Sequence, residues 1–254
     1  MVEYLYPKKA EPVEVAQAPV LTFPMYVGIA FVPEGPASHY RDTLLLTETE
    51  KLVLMREVGK HFKQYAYVKG IDLLPTQYLT PGGSFENLEQ LRTMFGIDVI
   101  VLLSYDQVQF TDTGWGRYGY WTLVGAVVLE GEKNETATMV DAAVYHISSR
   151  KMLFRAPGTS RVKNSSTVVH AEEELRHDSE NGFRMAATNL VVNLQEQLDL
   201  FKEKVKSEPE QYQVAFKKGH TAESVGLGKL DSSWLLLSAV IVGILVCPLP
   251  HRKR

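Results

Sequence analysis

Two carboxylates and a cation have types and spacing that could do chemistry. Asp106 and Asp141 fall at or within stretches that read as β-strand, and a hydrolase-type site built on them would need a loop histidine as proton partner. Arg155, in Leu153-Phe-Arg-Ala-Pro-Gly158, is the cation expected to pair with a buried carboxylate such as Asp141. A satisfied structural pair is the commoner outcome for such residues, so no catalytic residue is assigned.

The other candidates are weaker. Gly114-Trp-Gly-Arg-Tyr-Gly119 matches GxGxxG literally, but a phosphate-binding turn must open a helix. The run that follows, Tyr120 to Leu129, reads as strand, so no cofactor is expected, and Trp115 and Tyr118 become a candidate binding loop. Seven histidines are scattered: His39, His61, His146, His170, His177, His220 and His251. His170 and His177 flank Glu172, Glu173 and Glu174, yet a metal site needs a convergent third ligand, so a solvated helix surface is expected and no metal. Neither a GxSxG elbow, a P-loop, HExxH nor paired cysteines occur.

The elements that must position these residues follow from periodicity. Met25 to Val32 is a near-continuous apolar run ending at Pro33, as in a strand buried on both faces. Thr47-Glu-Thr-Glu50 matches a capping box, and Leu52, Met55, Val58 and Phe62 continue it as a helix over 47–64. Tyr67 to Leu74 reads as strand, Ser84 as the N-cap of a helix with Leu88, Leu91 and Phe95 on one face and Gly96 at its end, and Asp98 to Tyr105 as a second buried strand. Ala137 to Ile147 and Lys151 to Ala156 are strands joined by a short link, which implies an antiparallel hairpin. Ala171 to about Lys206 carries a long apolar stripe, with an interruption expected near Gly182. The fold class predicted is α/β (α+β): a single domain with a mixed β-sheet, strand-helix-strand-helix-strand followed by antiparallel hairpins and a long C-terminal helix, plus a C-terminal transmembrane tail.

The chain has 254 residues, 45% hydrophobic and 22% charged, which suits one ordinary domain with tails. A net charge of −3 with dispersed cations leaves no footprint for nucleic acid. Residues 1–24 read as an extended lead-in with four prolines, 25–206 as the domain, 207–232 as a flexible stalk and 233–254 as a transmembrane or sorting tail. Between Asp231 and His251 no charge occurs, and Arg252, Lys253 and Arg254 close the chain. From Trp234, an interfacial anchor, through Gly243 to Cys247 and Leu249 the run would span roughly 24 Å as helix, short of a hydrocarbon core about 30 Å thick. Such a segment spans by thinning the bilayer or by letting its cations snorkel. Cys247 is the sole cysteine, so neither an internal disulfide nor a cysteine metal site can form. If the terminal cations are cytoplasmic, the domain lies on the other side, and the N-terminus shows no signal-peptide pattern. Either a leader precedes Met1, which is the expectation, or the chain is tail-anchored with its cations carried across.

Val2-Glu-Tyr-Leu-Tyr-Pro7, Val27-Gly-Ile-Ala-Phe-Val-Pro33, Val99-Ile-Val-Leu-Leu-Ser-Tyr-Asp-Gln107, Tyr120-Trp-Thr-Leu-Val-Gly125, Met139-Val-Asp-Ala-Ala-Val144 and Ser149-Arg-Lys-Met-Leu-Phe-Arg-Ala-Pro-Gly158 together resemble the rhombotarget lipoproteins of Gram-negative bacteria. The resemblance implies an exported envelope lipoprotein with a GlyGly-CTERM-like tail, and a rhomboid-type intramembrane protease, the rhombosortase, as processing partner. It also implies a processing site at Gly226 and Gly228, where Gly226-Leu-Gly228 stands in place of the family's glycine doublet. The family's lipid-bearing cysteine has no counterpart near Met1. An accessory or binding role in the cell envelope, without enzymatic activity, is the function expected.

Overall fold

The computed structural model describes residues 1–7, 18–33, 46–110, 135–163, 171–208 and 210–228. In chain order the elements are α1 (Val2–Leu5), β1 (Val20–Phe23), β2 (Met25–Phe31), α2 (Glu48–Lys63), β3 (Val68–Leu73), a 3₁₀ turn (Thr76–Tyr78), α3 (Ser84–Phe95), β4 (Val99–Phe110), β5 (Glu135–His146), β6 (Lys151–Lys163), α4 (Ala171–Ser207) and β7 (Gln213–Phe216).

Five strands form one mixed sheet in the order β3-β2-β4-β5-β6. β2 lies parallel to both β3 and β4, whereas β4-β5 and β5-β6 are antiparallel. The expected mixed α/β architecture with a long closing helix is what the chain adopts. One face of the sheet packs α2 and α4 through Val99, Val101, Leu103, Val140, Ala142, Val144, Leu190, Leu194 and Leu198. The other face packs α1 and α3 through Ile100, Leu102, Ala143 and Tyr145 against Tyr4, Phe85, Leu88 and Leu91. The alternation along β4 and β5 assigns odd and even residues to opposite layers, as pleating requires.

Local signals place the helices. Thr47 caps α2, accepting from the Glu50 N–H at 3.2 Å while Glu50 accepts from the Thr47 N–H at 2.8 Å. Gly96, in the left-handed region at φ 67°, ends α3. α4 runs unbroken through Gly182, where an interruption was expected. The glycine is there for space: a Cβ on it would stand 2.6 Å from Thr138 Oγ1 on β5.

Two of the expected boundaries are corrected. The lead-in 1–24 is not wholly extended: it contributes α1, whose Tyr4 and Leu5 are buried, and β1. The stretch 207–232, read as a flexible stalk, is packed as far as residue 228. β7 pairs in parallel with β1, Val20 opposite Gln213 through Phe23 opposite Phe216, and Val225 and Leu227 are buried in the core. Polar composition masked this because the partner strand lies about 190 residues away, so no local pattern announces it.

Candidate functional site

The β4-β5-β6 pairing decides whether the predicted carboxylates meet. Asp141 on β5 stands opposite Ser104 on β4 and Pro157 on β6, while Asp106 stands opposite Met139. Asp106 and Asp141 are therefore diagonal neighbours on one face of the sheet, a separation of roughly 7–8 Å for such pairs. Arg155, opposite Ala143, is the other diagonal neighbour of Asp141. Its Nε lies 2.7 Å and 2.8 Å from the two Asp141 carboxylate oxygens. The Asp141 side chain is 6% exposed and that of Arg155 25%, so a buried anion is held by a cation that still reaches water. Burial pushes the Asp141 carboxyl above the usual range, and the Arg155 guanidinium acts against that shift. On the same strand, Tyr145 is pushed up to about 12, by burial first and by the charges of Tyr6 and Asp141 next.

The proton partner is not there among the described histidines. His146 ends β5, five residues from Asp141, with Nδ1 2.8 Å from Ser149 Oγ. Burial lowers its pKa, so the ring is biased toward the neutral form. His61 bridges α2 and α4, 3.1 Å from Gln195 Oε1, and His177 is exposed beside Asn181. His39, His170, the GxGxxG segment and the loop residues Trp115 and Tyr118 lie outside the described residues, as do Trp234, Gly243, Cys247, Arg252, Lys253 and Arg254. Among the described residues no group of three His, Cys, Asp or Glu could hold a metal ion, and no helix is long and apolar enough to cross a membrane.

Gly226 and Gly228 have a different setting from the one expected. The Leu227 N–H donates to Ala222 O at 2.9 Å and the Gly226 N–H to Glu223 O at 3.1 Å. These are the two bonds of a Schellman motif with Gly226 at its left-handed position, φ 72°. Thr221 and Ser224 cap the start of this single turn reciprocally, at 2.9 Å and 3.3 Å. Leu227 is buried in the core and Ala222 packs against the same cluster. Gly226 thus has a structural reason to be glycine.

One cluster had no signal in the sequence beyond Gly182. Gln107 Nε2 donates to Thr138 Oγ1 at 2.7 Å, Ser179 Oγ donates to Gln107 Oε1 at 2.6 Å, and Ser160 Oγ donates to the Gly182 carbonyl at 2.6 Å. All four side chains are buried, so these bonds seat the first half of α4 on the sheet in one register. The cluster is mutually satisfied and serves positioning.

No family model and no curated protein match the chain. Among solved structures it is similar to a homolog of the neuraminyllactose-binding hemagglutinin from Helicobacter pylori, at 9% identity and TM-score 0.37, over 78% of this chain and 97% of that one. It is likewise similar to the PelC dodecamer protein from Paraburkholderia phytofirmans, at 10% identity and TM-score 0.33, over 71% and 93%. The LpoB C-terminal domain from Salmonella enterica follows at 11% identity and TM-score 0.28, over 57% and 86%. Likeness this loose assigns neither a family nor an activity.

Proposed function

We propose that this chain is a membrane-held accessory protein of the bacterial cell envelope, acting by binding rather than by catalysis, with its domain on the non-cytoplasmic side. The observation that carries the reading is the burial of Val225 and Leu227 in the core, followed in the sequence after a few residues by the uncharged run from Trp234 to Leu249 and the cations Arg252, Lys253 and Arg254. A packed domain joined closely to such a run is how an anchored domain is built. The engagement of both Asp141 oxygens by Arg155 supports a structural role for that carboxylate. Fractionating the host's membranes tests the anchor: the full chain should resist alkaline extraction, and a chain ending at Gly228 should be released. Release of both would overturn the reading.

By its resemblance to rhombotarget proteins, the tail is also a substrate for a rhomboid-type protease. Cutting at Gly226 would require Val225 and Leu227 to leave the core, so the processing position that fits the fold lies beyond Gly228. Intact-mass spectrometry of the native protein, with and without the host's protease, tests this. A product ending at Gly226, or a mass retaining Arg254 in every fraction, would overturn it.

A hydrolase-type site remains a second reading because Asp106 and Asp141 share a face. A hydrolytic activity abolished by Asp106→Asn in a folded protein would establish it.

A further inference from the structure

We propose that one pole of the domain, where β2, β3 and β4 begin and β5 turns into β6, lies against the phospholipid headgroup layer. The proposal rests on the reading of the tail as a membrane segment. Several contacts gather the chain at this pole. The Met25 N–H donates to Tyr67 O at 2.8 Å, the Ile147 N–H to Asp98 O at 3.3 Å, and the Lys217 N–H to Phe23 O at 2.7 Å. Lys151 Nζ reaches Gln211 O at 3.3 Å, tying the β5-β6 turn to the segment before β7. The C-terminal turn belongs to the same end, since a Cβ on Gly226 would stand 3.7 Å from Ala66 Cβ, just after α2 ends. The described part of the chain therefore ends at this pole.

Tether length turns that position into an orientation. Only Lys229 to Ser233 separate Gly228 from Trp234, and even fully extended these steps reach about 20 Å. The twelve residues of β4 extend for roughly 40 Å. The tether is thus about half the length of the sheet, and at any tilt of the domain this pole stays close to the interface. A free stalk over 207–232 would have imposed nothing of the kind.

The surface suits headgroups. Lys217 Nζ lies 5.0 Å from the Tyr26 ring centre and Lys151 Nζ 4.8 Å from that of Tyr212. Lys63 and Lys218 are exposed nearby, and Tyr26 and Met152 are partly uncovered. Amphipathic aromatic and lysine side chains of this kind suit the boundary between headgroups and water. Asp98 pairs with Lys217 at 2.7 Å, and Glu208, Glu210 and Glu223 share this end, so the fit is to the headgroup layer as a whole rather than to a purely cationic patch.

The test uses the full chain in a Cys247→Ser background, reconstituted into phosphatidylcholine–phosphatidylglycerol vesicles that carry a headgroup-attached nitroxide quencher. A fluorophore is placed on Ser148→Cys, in the β5-β6 turn, or on Thr49→Cys, at the start of α2 and about 20 Å from that helix's end at the pole. Both positions are exposed. The expected result is flotation with the vesicles and at least twofold stronger quenching at position 148 than at 49. Flotation with equal or reversed quenching would overturn the proposal and leave the anchor standing. Failure of the full chain to float would overturn the anchor reading and the proposal with it.

Discussion

Arg155 contacts both carboxylate oxygens of Asp141 through one nitrogen, at 2.7 Å and 2.8 Å, and of the two side chains it is the cation that reaches water. The two partners are therefore unequal in what their loss would leave behind. Arg155→Met leaves a buried carboxylate without its hydrogen-bonded cation, whereas Asp141→Asn leaves a guanidinium that solvent still reaches. Arg155→Met should cost about 2–3 kcal/mol at pH 7, taking the lower side of the buried-pair range because Arg155 is partly solvated, and Asp141→Asn about 1 kcal/mol. Urea denaturation of both variants checks the asymmetry, and equal losses would contradict it.

The same pair predicts a pH dependence. The folded Asp141 carboxyl titrates above its unfolded value of about 3.9, so its contribution to stability is fully present below that value and is lost as pH rises through the raised folded pKa. Without Arg155 the raising influence of burial is opposed only by the charge of the N-terminal ammonium, so the carboxyl moves further up. The penalty of Arg155→Met should thus shrink between pH 7 and pH 4, as the stranded carboxyl takes up a proton. Denaturation curves at the two pH values measure this, and a penalty that grows on acidification would refute it.

How much of this was legible depended on distance along the chain. The Thr47–Glu50 capping box could be read because its partners are three residues apart. The Asp141–Arg155 pair could be suspected because a short link joins its strands. β7 could not be read, since its partner is β1 at the other end of the chain and its sequence, Gln-Val-Ala-Phe, is too short to stand out. Gly226 and Gly228 were ambiguous in kind. A glycine that eases unwinding near a membrane and a glycine that ends a helical turn look alike until the hydrogen bonds of Ala222 and Glu223 are seen.

Gly158 gives a sharper mutational test than any charged residue. It lies on β6 where α4 crosses, and a Cβ there would come within 2.6 Å of Leu190 Cβ and closer still to the Ala186 carbonyl. Asn189 donates to the Thr159 carbonyl at 3.2 Å and Asn193 to that of Pro157, fastening the helix along the edge strand. Backbone meets backbone, so neither side can yield by rotating a side chain. Gly158→Ala should destabilise by at least 2–3 kcal/mol, as overpacking does. A melting temperature within a degree of the parent's would show that the close approach is not required.

Tyr67 predicts a change in the opposite direction. Its ring packs against Phe23 and Tyr65, with centroids 6.0 Å and 5.0 Å away. Its hydroxyl is buried without a hydrogen-bond partner among the described residues. Removing an unsatisfied buried hydroxyl while keeping the ring should stabilise the fold, so Tyr67→Phe is expected to gain about 1 kcal/mol. Chemical denaturation decides, and a loss would mean that a bridging group serves the hydroxyl.

The C-terminal turn yields the prediction that separates a folding role for its glycine from a processing role. An alanine at Gly226 must adopt φ near 72°, which costs roughly 1–2 kcal/mol for a residue with a Cβ. Leu227→Ala removes a buried side chain from the core and should cost about 2–4 kcal/mol. Both losses should appear in a chain ending at Gly228, where no membrane and no protease take part. If Gly226 serves only the protease, Gly226→Ala leaves that truncated chain's denaturation midpoint unchanged and alters the mass of the native product alone. If it serves the turn, the midpoint falls, and processing beyond Gly228 changes only through the loosened fold.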